Sequence, residues 1–565
     1  MEGRAAIIIT MALLAELRRR NVLKVALLYV VASWFILQLA KVGIASHGWP
    51  AWIDNFLLLV LGIGFPVALM FAWVYEITPA GLKKAIEVDQ TQSIVYKTGQ
   101  KLNAAVAVLI VLALAAMIAD FFLPDFEFLI PEPEQGDPPV SAKAPEEIRS
   151  LTLANGLKLI VWPDHDIPNV AMYIFVRAGS RNESPGITGL SHFFEHMMFN
   201  GTAKHAPGEF DRIMEAAGGA NNARTSSDVT VYQDWFPTSA LELVFDLESD
   251  RFQNLRTEPE FLESERGVVY SERRTTVDND NMGRLFEQVQ ATAFVAHPYQ
   301  FPVIGWPSDI ESWTAQDLLA YYRTYYAPNN CTVVITGDVE ARRIFDLADE
   351  YFAPIPTQSP PAPVRTVEPE QQGVRRLLIE TEAQTPLLHI AFHAGSATDP
   401  ATLPMNLLLN ILVGGDSSRL HRVLVEEQQL AISVGGYQDE GFDPGLVYFY
   451  LTLPPGGDPA VAEQRLLEEL AGIIAEGVTE AELEKARNIV VADFWRGLAT
   501  ISGKASALGN FEVFHSSYEK LFYLPDSINA ITGDEIRAVA ARVFRPTNMT
   551  VGVLRSPTVI EESQQ

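Results

Sequence analysis

The sequence predicts a chain in two parts: an all-α membrane region of about three helices, then two related α+β domains, each an antiparallel sheet with helices packed on it. Three observations predict this. Three long apolar runs fall within the first 125 residues. Beyond them, two signatures recur: Val170-Ala171-Met172-Tyr173-Ile174-Phe175-Val176-Arg177-Ala178-Gly179-Ser180 is echoed by Leu387-Leu388-His389-Ile390-Ala391-Phe392-His393-Ala394-Gly395-Ser396, and Pro328-Asn329-Asn330-Cys331-Thr332-Val333 by Pro546-Thr547-Asn548-Met549-Thr550-Val551. Gly179 and Pro328 are 149 positions apart, Gly395 and Pro546 are 151, so the two blocks share one spacing and read as repeats.

At 565 residues the chain is too long for one domain. Its net charge of −28 argues against nucleic acid, which needs a basic face, and fits a solvated acidic surface. The single cysteine, Cys331, excludes an internal disulfide and any Cys-rich zinc cluster.

Residues 1–124 are expected to anchor the chain in a membrane. The apolar runs are Val25 to Ala45, Phe56 to Tyr75 and Ala104 to Ala119, the second charge-free and long enough to span a bilayer. Arg18, Arg19, Arg20 and Lys24 precede the first, and Lys83, Lys84, Lys97 and Lys101 lie between the second and third. The loop from His47 to Asn55 has neither Lys nor Arg, and Asp120, Asp125 and Glu127 follow the third. That asymmetry places the N-terminus inside and the C-terminal part outside. The Glu16-Leu17-Arg18-Arg19-Arg20-Asn21-Val22 opening and Glu76-Ile77-Thr78-Pro79-Ala80-Gly81 resemble a three-span module at the front of various bacterial signalling proteins, which implies anchoring. With the charge asymmetry, the expected location is the bacterial inner (cytoplasmic) membrane with the remainder on its periplasmic side.

A Pro/Glu-rich tether, residues 125–147, leads to the first block at 148–355. A Pro-rich linker, 356–372, separates it from the second block at 373–556, and 557–565 form a tail.

The chemistry concentrates in Ser191-His192-Phe193-Phe194-Glu195-His196-Met197. On a helix, His192, Glu195 and His196 stand at i, i+3 and i+4 on one face. Two imidazoles to grip a metal and a carboxylate to take a proton from its water are what a zinc-assisted hydrolase needs, and H-x-x-E-H is the inverse of the commoner H-E-x-x-H. An amphipathic helix with two partly buried histidines is the plain alternative. A third ligand is wanted, and the charged helix Phe261 to Arg273 offers Glu265 and Glu272, seven apart on one face. From the residues alone, a solvated acidic stripe is the favoured reading of that pair.

These motifs resemble the pitrilysin, insulysin and mitochondrial-processing-peptidase family of zinc metallopeptidases. The carriers are Gly189-Leu190-Ser191-His192-Phe193-Phe194-Glu195-His196-Met197-Met198-Phe199-Asn200-Gly201-Thr202, Asn222-Ala223-Arg224-Thr225, Glu265-Arg266-Gly267-Val268-Val269-Tyr270-Ser271-Glu272 and Tyr325-Tyr326-Ala327-Pro328-Asn329-Asn330. The resemblance implies half of a clamshell peptidase with one zinc per chain, held by His192, His196 and Glu272. It implies Glu195 as general base, Glu265 as a supporting acid, and Asn222-Ala223 on an edge strand that pairs with extended peptide.

The second block carries Leu408, Ile411 and Leu412 where the first has His192, Glu195 and His196. It also departs from self-sufficient relatives, which have an Arg and a Tyr seven apart where this chain has Val425 and Ile432; Arg419, Arg422 and Tyr437 lie nearby. Neither Val nor Ile donates a hydrogen bond. Some relatives divide the labour between a zinc-bearing and a zinc-less subunit, so the expected partners are a peptide substrate, a lipid bilayer and a homologous zinc-less subunit carrying the Arg and Tyr. The rival reading is a zinc-loaded peptide-binding scaffold. A signal transducer would need a cytoplasmic effector larger than the inner segments of this sequence.

Overall fold

A computed structural model describes residues 144–557 and, upstream, Tyr29, Ser33, Leu61, Phe65 and a short hairpin. The hairpin pairs β1 (Tyr75–Thr78) antiparallel with β2 (Gly81–Lys84), where the sequence suggested an all-α region; Pro79 and Gly81 are turn formers, which explains the difference. The three apolar runs otherwise lie outside the described residues. Among the described residues no helix is long and apolar enough to cross a membrane.

The first block forms β3 (Arg149–Thr152), β4 (Lys158–Pro163) and β5 (Asn169–Val176), then α1 (Leu190–Met197), α2 (Glu209–Ala216), β6 (Ala220–Thr225) and β7 (Thr230–Pro237). The helices α3 (Leu241–Asn254), α4 (Pro259–Arg273), α5 (Asn281–Ala293), α6 (Pro307–Ser312) and α7 (Ala315–Tyr325) follow, then β8 (Cys331–Gly337) and α8 (Ala341–Tyr351). The second block runs β9 (Arg375–Glu380), β10 (Leu387–His393), α9 (Thr402–Val413), β11 (Ser433–Gln438), β12 (Leu446–Thr452), α10 (Pro459–Glu476), α11 (Glu480–Gly497), α12 (Ile501–His515), α13 (Leu524–Ala530), α14 (Gly533–Val543) and β13 (Met549–Arg555).

The sheet orders are β3-β4-β8-β5-β7-β6 and β11-β12-β10-β13-β9. Read from β4, the first matches the second, read in reverse from β9, strand for strand. Neither sheet is purely antiparallel, which corrects the expectation: β4 runs parallel to β8, and β9 to β13. In each block the last strand arrives after a run of helices and inserts between two earlier strands, β8 between β4 and β5 and β13 between β9 and β10, and such a long connection permits parallel entry.

Both sheets are covered on both faces, so their central strands read as unbroken apolar runs. In β5, Val170, Met172, Ile174 and Val176 face the block's own core, while Ala171, Tyr173 and Phe175 face a second cluster with Ala505 and Leu508 of α12. Reciprocally, Leu285 and Val289 of α5 pack with Leu387, Ala391, Leu446, Tyr448 and Leu554 on the second sheet. Each block thus lends one helix to its neighbour's sheet. A glycine admits each visitor: a Cβ on Gly509 of α12 would lie 2.0 Å from the Phe175 ring, and one on Gly552 of β13 would lie 2.3 Å from Val289.

Candidate metal centre

α1 buries Leu190, Ser191, Phe193, Phe194 and Met197 against the first core. The 3.6-residue period then leaves His192, Glu195 and His196 together on the opposite, half-buried face. α4 packs against α1, buries Leu262, Val269 and Arg273, and turns Glu265 and Glu272 toward the histidines. The outward stripe of α4 is Glu263, Ser264, Gly267, Val268 and Ser271, so the seven-residue pair is not the solvated one.

Glu272 Oε2 lies 3.3 Å from His196 Nε2 and 3.6 Å from His192 Nε2. One ligand atom from each of these three residues lies within 4.8 Å of the others, the spread a tetrahedral ion requires. On its far side His196 Nδ1 meets Glu265 Oε1 at 2.8 Å, and Asn200 Nδ2 donates to Glu265 Oε2 at 2.5 Å. That chain fixes the ring and aims Nε2 at Glu272, as a carboxylate does behind a metal-bound histidine. The donor set therefore fits zinc: two imidazoles, one carboxylate and an open side, since Glu272 is 38% exposed.

Charge follows geometry. Burial, helped by the neighbouring His196, pushes His192 down to about 4, so it is neutral and offers a lone pair. Burial works against a proton on His196 as well, but the Glu265 and Glu272 carboxylates outweigh it and raise that ring to about 9. The same carboxylates favour a dication in the proton's place. Burial lifts Glu195 above the usual carboxylate range, opposed by the Thr225 hydroxyl, which donates to Glu195 Oε2 at 2.6 Å.

Thr225 ends β6, which among the described residues pairs only with β7 and leaves its other edge open beside α1. Asn222 stands exposed on that strand and Ala223 is half-buried against the core. The structure thus brings together His192, Glu195, His196, Glu265 and Glu272, with Asn222 and Ala223 on the adjoining edge. Sequence reasoning gave no role to Thr225 or Asn200. Both had a spacing signal: Thr225 shares a strand face with Ala223, and Asn200 follows His196 by four.

The second block has no counterpart. Leu408, Ile411 and Leu412 lie buried in α9. Val425 packs against the second core, and Ile432 is 53% exposed just before β11. The Arg419 guanidinium is held by both Glu482 oxygens at 2.5 and 2.6 Å. Arg422 reaches Glu427 at 3.5 Å, and Tyr437 stacks on Tyr448.

Comparison with known proteins follows the same division. A family described as "Insulinase (Peptidase family M16)" matches residues 160–305, and one described as "Peptidase M16 inactive domain" matches 312–490. The chain is 30% identical over 420 residues to the zinc protease PqqE of Helicobacter pylori, covering 72% of this chain and 92% of that protein. It is 26% identical over 404 residues to the mitochondrial-processing peptidase subunit beta of Lentinula edodes, covering 69% and 86%. Among solved structures, a protease from Helicobacter pylori superposes with a TM-score of 0.70 at 27% identity, covering 73% of this chain and 99% of that one.

Proposed function

The chain belongs to the insulinase family, peptidase family M16, and from that premise we propose that it is a membrane-anchored zinc endopeptidase hydrolysing peptides or extended protein segments. The observation that carries this is the convergence of His192, His196 and Glu272, with Glu195 beside them tied through Thr225 to an open strand edge. Zinc, when held by those three residues, supplies Lewis acidity toward water and a peptide carbonyl. Glu265 and Asn200 keep the His196 ring in the ligating tautomer. Asn222 and Ala223 hold substrate by backbone pairing along β6. Thr225 occupies one oxygen of Glu195, and Oε1 takes the proton of the attacking water and returns it to the leaving amine.

Two substitutions test the assignment. Glu195→Gln is expected to retain zinc and lose at least about 100-fold in turnover, whereas His192→Ala is expected to lose zinc itself. Unaltered hydrolysis by the Gln variant sinks the mechanism.

The apolar runs and their flanking charges support an anchor in the bacterial cytoplasmic membrane with the peptidase body on the periplasmic side. A topology reporter fused after Asp125 that lit up only in the cytoplasm would reverse that orientation.

Val425 and Ile432 support a dimer with a homologous zinc-less subunit supplying an Arg and a Tyr, because neither residue donates a hydrogen bond and Arg419 is engaged by Glu482. The same observation favours the second reading, a zinc-bearing scaffold that clamps peptides without cutting them. Peptide cleavage by residues 130–565 with zinc and no partner separates both from a self-sufficient enzyme. Turnover abolished by Glu195→Gln means a self-sufficient enzyme, and bound zinc without turnover means a missing subunit or a scaffold.

A further inference from the structure

The metal helix lacks a cap of its own. α1 has eight residues, and so short a helix is not stable in water without outside support. Its N-cap is Gly189, at φ 85°, which has no side chain to satisfy the first free N–H groups. His192, Glu195 and His196 all sit in these two turns.

The missing acceptor comes from six residues upstream. Glu183 is 5% exposed, and one of its carboxylate oxygens accepts from Gly189 N at 2.7 Å. Its other oxygen accepts from Ser191 N and Ser191 Oγ, each at 2.6 Å. Ser191 Oγ also meets the Tyr321 hydroxyl at 2.5 Å, and Tyr321 stacks on Phe194 of α1 with ring centroids 5.4 Å apart. Burial raises the Glu183 carboxyl to about 7, with the Ser191 and Gly189 donors pulling the other way.

The segment carrying Glu183 also braces the far side of the site. Arg181 N donates to Ser227 O at 2.8 Å, and a Cβ on Gly179 would lie 2.4 Å from Ser226 O. That turn follows directly on Thr225, whose hydroxyl holds Glu195. One short segment therefore fixes both the start of α1 and the end of β6.

We propose that Glu183 is a positioning residue for the metal helix: its buried carboxylate stands in for the absent N-cap and keeps His192, Glu195 and His196 in register with Glu272 and the substrate strand. This rests on the peptidase reading above, and Glu183 itself touches neither metal nor substrate. A cap that only stabilised the fold would alter the melting temperature alone. A positioning residue alters zinc affinity and turnover per bound zinc as well.

The test is Glu183→Gln in the full chain, with zinc affinity read by chelator competition and kcat and KM read on a quenched peptide. An amide has one acceptor where the site presents donors to both oxygens. Zinc affinity is expected to fall about 10-fold, and kcat per bound zinc about 10-fold with KM unchanged. Ser191→Ala, a milder variant that serves should the Gln protein not fold, is expected to shift both in the same direction by less. The double variant should be no worse than Glu183→Gln alone, since the two groups act as one unit. Wild-type zinc affinity and wild-type kcat per bound zinc, with only a lower melting temperature, would overturn the proposal. A wild-type chain that binds zinc but hydrolyses nothing would point to a missing subunit or a scaffold in the function reading instead, and the zinc comparison would still decide Glu183.

Discussion

Thr225 is the residue at which the open strand and Glu195, the proposed general base, meet. Its hydroxyl donates to Glu195 at 2.6 Å and is the last side chain of β6. A hydrogen bond to a charged group contributes on the order of 1.5–3 kcal/mol, and a base left to rotate spends less time aimed at its water. Thr225→Val keeps the shape and removes the donor, so kcat should fall about 10-fold with zinc content and KM unchanged. Thr225→Ser should restore it, and steady-state kinetics on the two zinc-loaded variants decides. A Val variant at full kcat would detach the strand from the base. The sequence put His192, Glu195 and His196 on one face, because helical spacing is local and i, i+3, i+4 needs no tertiary knowledge, whereas Glu272 was singled out only through the family resemblance. Glu183 was not legible in the same way: it lies six residues outside its helix, and only the folded path brings it back to Gly189 and Ser191.

At the scale of elements, the exchanged helices matter most. The matched signatures made the repeat visible, and the strand orders agree with it. What the signatures did not carry is that α5 and α12 each leave their own block, since an apolar helix face does not say whose sheet it covers. The traces are two glycines whose missing side chains the pattern could not interpret. Gly509 lies against the wholly buried Phe175, with ring carbons 2.0 and 2.2 Å from where a Cβ would stand. Gly509→Ala must therefore displace α12 or the ring, and overpacking of this kind costs about 1–3 kcal/mol. A lowered urea midpoint is the expected result, partly recovered by adding Phe175→Leu to make room. An Ala variant as stable as the wild type would mean that α12 does not seat on the first sheet as described. The mixed character of the sheets escaped sequence reading for a related reason: strand patterns report which faces are buried, not the direction of a neighbour.

Across the two blocks, one buried carboxylate joins them next to the turn that follows Thr225. Asp228, three residues past Thr225, accepts the Tyr299 hydroxyl on both oxygens at 2.9 and 2.8 Å and the Phe442 N–H of the second block at 3.3 Å. Arg181 stands 3.6 Å away and is drawn toward Asp443 of the second block at 2.6 Å, which also meets His297 Nε2 at 3.1 Å. Burial is the largest influence on Asp228 and raises it to about 6, although the Tyr299 hydroxyl and Arg181 oppose the shift. A carboxyl whose folded pKa stands above its unfolded value is favoured in its protonated form. Its contribution to stability is full below about pH 4 and is lost as pH rises toward 6, beyond which it is constant. Asp228→Asn is neutral at every pH and keeps one acceptor, so it lacks that dependence. In metal-free protein, the stability of the wild type relative to Asp228→Asn should decline between pH 4 and 6 by on the order of 2 kcal/mol. Urea unfolding of both proteins across that window measures it, and the comparison cancels the titrations they share. Parallel curves would mean that water reaches Asp228 and that the blocks part at this turn. A declining difference would show that the turn beside Glu195 is sealed by the second block, so the block without metal ligands helps to hold the site in the block that has them.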